Sequence, residues 1–152
     1  KYKTLPSDMV GKISFYSQAA NSLTDDDVRI SKRLYVPYKK LRGFQKGKVG
    51  PKDKASFIGG NYVSALNISA TLPQILPSFQ NTDFSFFLDM ANVWGVDYDD
   101  TLDDRSSIRS STGLSIDLLT PVGPLNFSFA ETISKASSDQ TESFRFNIGT
   151  SF

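Results

Sequence analysis

The residues with the most chemistry to offer are Leu41-Arg42-Gly43-Phe44, set in a long basic stretch. A guanidinium presents a planar fork of donors suited to a carboxylate, a glycine lets the backbone turn sharply, and a phenyl ring can wedge against a wall. Around them, Lys39, Lys40, Arg42, Lys46, Lys48, Lys52 and Lys54 face Asp53 alone. So much positive charge needs an anionic neighbour or open water. Asp97, Asp99, Asp100, Asp103 and Asp104 form a second cluster, in residues 97–105. Their oxygens suit calcium, but the spacing lacks the acidic and glycine pattern of an EF-hand and reads as a solvated loop, one that could lie near the basic stretch. Gly43-Phe44-Gln45-Lys46-Gly47-Lys48 is one residue short of a phosphate-binding loop and has Val49 where Ser or Thr is required. Asn67-Ile68-Ser69 matches a glycosylation sequon but falls inside a strand pattern.

Other chemistry is excluded by composition. The 152 residues contain no His and no Cys, which removes thiolate catalysis, the usual imidazole base and most zinc or iron sites. No catalytic residue, metal site or cofactor is expected, and the reading is not an enzyme. A net charge of +1 gives no reason to expect a nucleic-acid partner. At 39% hydrophobic residues with twelve Phe, the chain suits strands with one apolar and one polar face. No apolar run approaches the length of a membrane-spanning helix.

The elements that must carry these residues alternate with period two, the signature of strands. Tyr2 to Leu5 reads as the end of an earlier strand. In residues 11–21, Ile13 and Phe15 oppose Lys12, Ser14 and Tyr16. Residues 22–58 form a connection far longer than a hairpin loop, and connections of that length are usually functional or disordered. Alternation resumes over 59–72. In 83–94, Phe84, Phe86, Leu88 and Met90 share one face, and Asp89 lies on the other with Phe87 and Ala91. Strands follow at 108–119, with Arg109 on the polar face, at 124–134, where Glu131 breaks the apolar face at a bulge or rim, and at 142–152. The joins at 73–81 and 120–124 are short, and the others are long and polar. Strands of about ten residues with an apolar face, short turns at one end and long loops at the other predict an all-β, antiparallel, up-and-down transmembrane barrel. A soluble β-sandwich alternates too, so periodicity alone leaves both open.

Several segments, in order and at their spacings, decide between them. These are Arg42-Gly43-Phe44 with Gly50-Pro51 and Gly59-Gly60-Asn61; Phe87-Leu88-Asp89-Met90-Ala91-Asn92-Val93-Trp94; Arg109-Ser110-Ser111-Thr112-Gly113; Pro121-Val122-Gly123-Pro124-Leu125; and Phe146-Asn147-Ile148-Gly149-Thr150-Ser151-Phe152. From about Gly11 to Phe152 the chain resembles the C-terminal part of the barrel of the BamA family of outer-membrane protein assembly factors. The resemblance implies about six C-terminal strands of a sixteen-stranded barrel, with the POTRA domains and N-terminal strands outside this chain. It implies location in the outer membrane of a Gram-negative bacterium, with membrane lipid, unfolded barrel clients and assembly lipoproteins as partners.

The resemblance also implies that the motif loop folds back into the lumen, where Arg42 bonds Asp89. The family's other acidic partner falls on Ser69, a departure that leaves the pairing resting on Asp89, and the glycine after its aspartate is Ala91 here. Phe144, Phe146, Ile148 and the terminal Phe152 correspond to the assembly signal of outer-membrane barrels, on a strand that borders a lateral seam. Because lipid cannot satisfy bare strand edges, an isolated piece is expected to pair its edges with a second copy. The alternatives are a related translocation or secretion pore, a passive porin-like channel and a soluble carbohydrate-binding sandwich.

Overall fold

The computed structural model describes residues 2–5, 9–24, 26–72, 81–102, 107–121 and 123–149. Nine strands are present among them: β1 (Tyr2–Leu5), β2 (Met9–Ala19), β3 (Lys52–Asp53), β4 (Ser56–Phe57), β5 (Tyr62–Thr71), β6 (Thr82–Trp94), β7 (Arg109–Thr120), β8 (Gly123–Ser134) and β9 (Phe144–Ile148). Seven form one antiparallel sheet in the order β1-β2-β5-β6-β7-β8-β9, and β3 and β4 make a small hairpin inside the long connection. Apart from that hairpin, each strand pairs with the next strand along the chain, as in a meander. The earlier strand inferred at Tyr2 to Leu5 is the seventh member, paired with β2 from Leu5↔Met9 to Tyr2↔Lys12. The sheet is not closed within this chain.

The two faces follow the alternation. Ile13, Phe15, Phe86, Phe129, Phe144, Phe146 and Ile148 are each between 44% and 71% exposed, all on the convex face. In a water-soluble sandwich such a face would be covered; spread over successive strands it suits hydrocarbon. Phe127 meets Phe146 with ring centroids 4.9 Å apart, and Phe129 meets Phe144 at 5.1 Å, cross-strand aromatic pairs that fix the register of the two strands.

The buried residues lie on the concave face. Val63 and Ala65 of β5 and Ala91 and Val93 of β6 pack against Val36, Leu41, Phe44 and Val49 of the long connection. The connection between β2 and β5 thus folds inward and supplies half of the core. Near Glu131 a bulge is present, displaced from it: Ser110 pairs with Ser134 but Ser111 with Thr132, so Ile133 is the extra residue. Phe152, Asp103, Asp104 and most of the 73–81 turn lie outside the described residues.

Candidate functional site

The site is built by β6 and the loop that crosses it. Alternation turns Asp89 inward, where its side chain is fully buried. Arg42 reaches it with both prongs, Nε to Oδ2 at 2.7 Å and Nη2 to Oδ1 at 2.8 Å, and the Arg42 backbone N–H adds a bond to Oδ2 at 3.1 Å. Asn67 of β5 donates from Nδ2 to Oδ1 at 2.9 Å and to the Lys40 carbonyl at 2.7 Å. A carboxylate with four such donors is a strong anchor, because every bond to it is charge-assisted. The guanidinium carbon also lies 3.6 Å from the centre of the Phe87 ring, two residues before Asp89 on the same face. The ring shields the pair from one side and holds the cation by its face. Ser69, on the same face of β5 as Asn67, lines the cavity beside Arg42.

Gly43 turns the chain at φ +85°, and a Cβ there would come within 3.1 Å of Ser111 and 3.2 Å of Ala130. The dihedral favours glycine, and the close approach leaves a side chain little room. The turn aims Phe44 into the core, where it is 1% exposed. Ser111 Oγ donates to the Arg42 carbonyl, so β7 holds the motif as well as β6.

A second set of bonds runs along the connection between β8 and β9. Glu142 N–H reaches the Gly43 carbonyl at 3.0 Å, Gln45 N–H the Gln140 carbonyl at 2.9 Å, and Gln140 N–H the Lys48 carbonyl at 3.0 Å. These satisfy loop amides and carbonyls that would otherwise be buried without partners.

Sequence reasoning placed Arg109 inward but missed its role. It forms a second buried pair with Asp139, Nε to Oδ2 at 2.8 Å and Nη2 to Oδ1 at 3.2 Å, with both side chains 0% exposed. Asp139 also accepts Gly50 N–H at 3.2 Å and Ala136 N–H at 2.7 Å, and Arg109 Nη1 reaches Asn92 Oδ1 at 2.8 Å. The pair ties β7, the β8–β9 connection and the far end of the motif loop together. An inward arginine was a signal that acceptors must face it, but nothing in the spacing selects Asp139.

Among the described residues of the acidic loop, Tyr98 donates to Asp53 of the basic stretch at 3.4 Å. Asp97 pairs with Arg33 and accepts Val28 N–H at 2.7 Å and Asn61 Nδ2 at 3.1 Å. Burial pushes its carboxyl upward, but the Val28 and Asn61 donors and the Arg33 charge outweigh that and hold it below the ordinary carboxylate value. Asp99 accepts from the N–H and hydroxyl of Thr101, a local turn that holds its carboxyl below the ordinary value. Lys46 lies 5.5 Å from the Tyr38 ring centre, and Lys48 and Lys52 lie 5.6 Å and 5.4 Å from that of Phe57, so aromatic faces share in stabilising the basic loop. Phe144, Phe146 and Ile148 lie outward on β9, away from this site.

Comparison with known proteins bears on the family and the fold. Residues 1–152 match the model of the Omp85 superfamily domain. The outer membrane protein assembly factor BamA of Neisseria meningitidis serogroup B is 30% identical over 142 residues, covering 74% of this chain and 17% of that protein. BamA of Neorickettsia risticii is 25% identical over 128 residues, covering 82% of this chain and again 17% of the relative. The chain therefore spans about a sixth of the length of these relatives. The crystal structure of BamA from Haemophilus ducreyi lacking POTRA domains 1–3 superposes with a TM-score of 0.82 at 27% identity, over 95% of this chain and 32% of that one.

Proposed function

The chain belongs to the Omp85 superfamily, and from that premise we propose that it forms the C-terminal part of the barrel of an outer-membrane protein assembly factor. It is a non-enzymatic segment that helps to insert and fold other β-barrel proteins in the outer membrane of a Gram-negative bacterium. Its convex apolar face meets lipid, its clients are unfolded barrel proteins, and domains outside this chain engage the assembly lipoproteins. The strand that contains Phe144, Phe146 and Ile148 borders the seam at which client strands would add by backbone pairing. Arg42, Gly43 and Phe44 brace the lumen behind it.

The observation that carries this reading is the two-pronged Arg42–Asp89 pair, which seats a basic loop inside a sheet whose outer face is apolar. The test restores the full-length protein, reconstitutes it with its lipoprotein partners in bilayers, and compares client insertion with and without Arg42→Ala. Insertion that falls sharply on substitution is the expected result. Steady ion conductance with no insertion by the unmutated protein would overturn the assembly reading in favour of a pore, and protein export without insertion would favour a translocation member of the superfamily.

A further inference from the structure

β8 runs on to Ser134, but β9 is bonded to it only as far back as Ser143. Its register with β8 runs from Leu125↔Ile148 to Phe129↔Phe144, and Ala130 N–H to the Ser143 carbonyl at 2.9 Å extends it by one bond. Beyond that point residues 140–142 leave β8 and bond to the motif loop instead. The chain changes partner there, from wall to loop.

Arg145 sits next to that change. Its side chain is turned inward and 10% exposed, and its fork is divided among three acceptors. Nε donates to Glu142 Oε1 at 2.6 Å, Nη2 to the Phe44 carbonyl at 2.5 Å, and Nη1 to the Tyr38 carbonyl. The guanidinium carbon also lies 5.5 Å from the Tyr38 ring centre. Tyr38 and Phe44 stand on either side of Arg42 along the loop. A planar guanidinium can bridge two separated carbonyls and a carboxylate at once, whereas an ammonium is a point charge that cannot span them.

We propose that Arg145 is a positioning residue for the motif loop, clasping it on both sides of Arg42 so that the loop's seat depends on β9 as well as on Asp89. The loop and the strand then move together. Drawing β9 away from β8 unseats residues 38–44, and unseating the loop removes the inner support of β9. This goes beyond the assembly reading and requires no client, so it is measured apart from it.

The experiment is hydrogen-exchange mass spectrometry on the full-length protein in lipid nanodiscs, following peptides that cover residues 38–48, 88–93 and 140–148. Arg145→Gln is expected to speed exchange in both 38–48 and 140–148 by about tenfold, the scale set by losing a charge-assisted bond, while 88–93 on the barrel wall stays protected. Arg145→Lys keeps the charge without the fork and is expected to show the same pattern; it decides the matter should the glutamine variant fail to assemble. Faster exchange confined to 140–148, or full protection retained by Arg145→Lys, overturns the proposal, because the loop's seat would then not depend on the fork.

Discussion

Replacing Asp89 with Asn should release the motif loop without unfolding the wall. The substitution preserves shape but turns one acceptor into a donor facing Arg42, so it removes the charge and sets N–H against N–H. Breaking one member of a fully buried pair costs about 3 to 5 kcal/mol. Here Asp89 is fully buried but Arg42 is 19% exposed, so the stranded guanidinium can recover part of its hydration from the lumen, and about 2 to 3 kcal/mol is the appropriate figure. Leu41, Phe44 and Val49, each no more than 4% exposed, still hold the loop in place most of the time. The open fraction should therefore rise about 30- to 150-fold, at a factor of ten per 1.4 kcal/mol. The chain contains no Cys, so a single Val49→Cys offers a clean reporter under the loop. Its labelling by a water-soluble thiol reagent tracks the open population when opening and closing are fast. Labelling in the Asp89→Asn background within threefold of the parent rate would refute the reasoning, since the pair would then contribute almost nothing to seating the loop.

Three further outcomes follow from the same geometry. Arg109→Met leaves the buried Asp139 carboxylate with backbone donors alone and should cost about 3 to 5 kcal/mol in urea unfolding from bilayers; adding Asp139→Asn should recover part of that loss, because the uncompensated charge is removed. Phe129→Arg puts a charge on the outer face at a position already 49% exposed; it should lower stability by about 2 to 4 kcal/mol if the site lies at the bilayer midplane, measured as folded fraction in vesicles, whereas in a water-facing sandwich it would be close to neutral. The Asp97 carboxyl, held below its ordinary value, stabilises the contact to Val28 and Arg33 above the unfolded-state value of about pH 4. That contribution is lost as pH falls through the lower folded-state value, so proteolysis within residues 26–33 should quicken in acid, and Asp97→Asn should remove that dependence.

Much of the fold is local in origin and was therefore readable along the chain. A strand's side chains alternate whatever surrounds it, so period two alone put Asp89 and Arg109 on one face and Phe84, Phe86 and Phe129 on the other. The short and long joins, the inward loop and the identity of its motif followed from the same reading and from the likeness of ordered segments. What the chain could not announce was partner choice. Arg42 and Asp89 were matched only by resemblance, and Asn67, noticed along the chain only within a sequon, proved to be a further donor to Asp89. Arg109 with Asp139, Arg33 with Asp97, and Arg145 with the carbonyls of Tyr38 and Phe44 join residues separated by 30, 64, 107 and 101 positions. An irregular loop has no period, so no pattern says which of its carboxylates or carbonyls will arrive opposite a given arginine. That is decided when the loop folds against the concave wall, where each buried charge must find a partner or bear its desolvation alone. Alternation determined which side chains point inward; only the path of the loop across the wall decided what they meet.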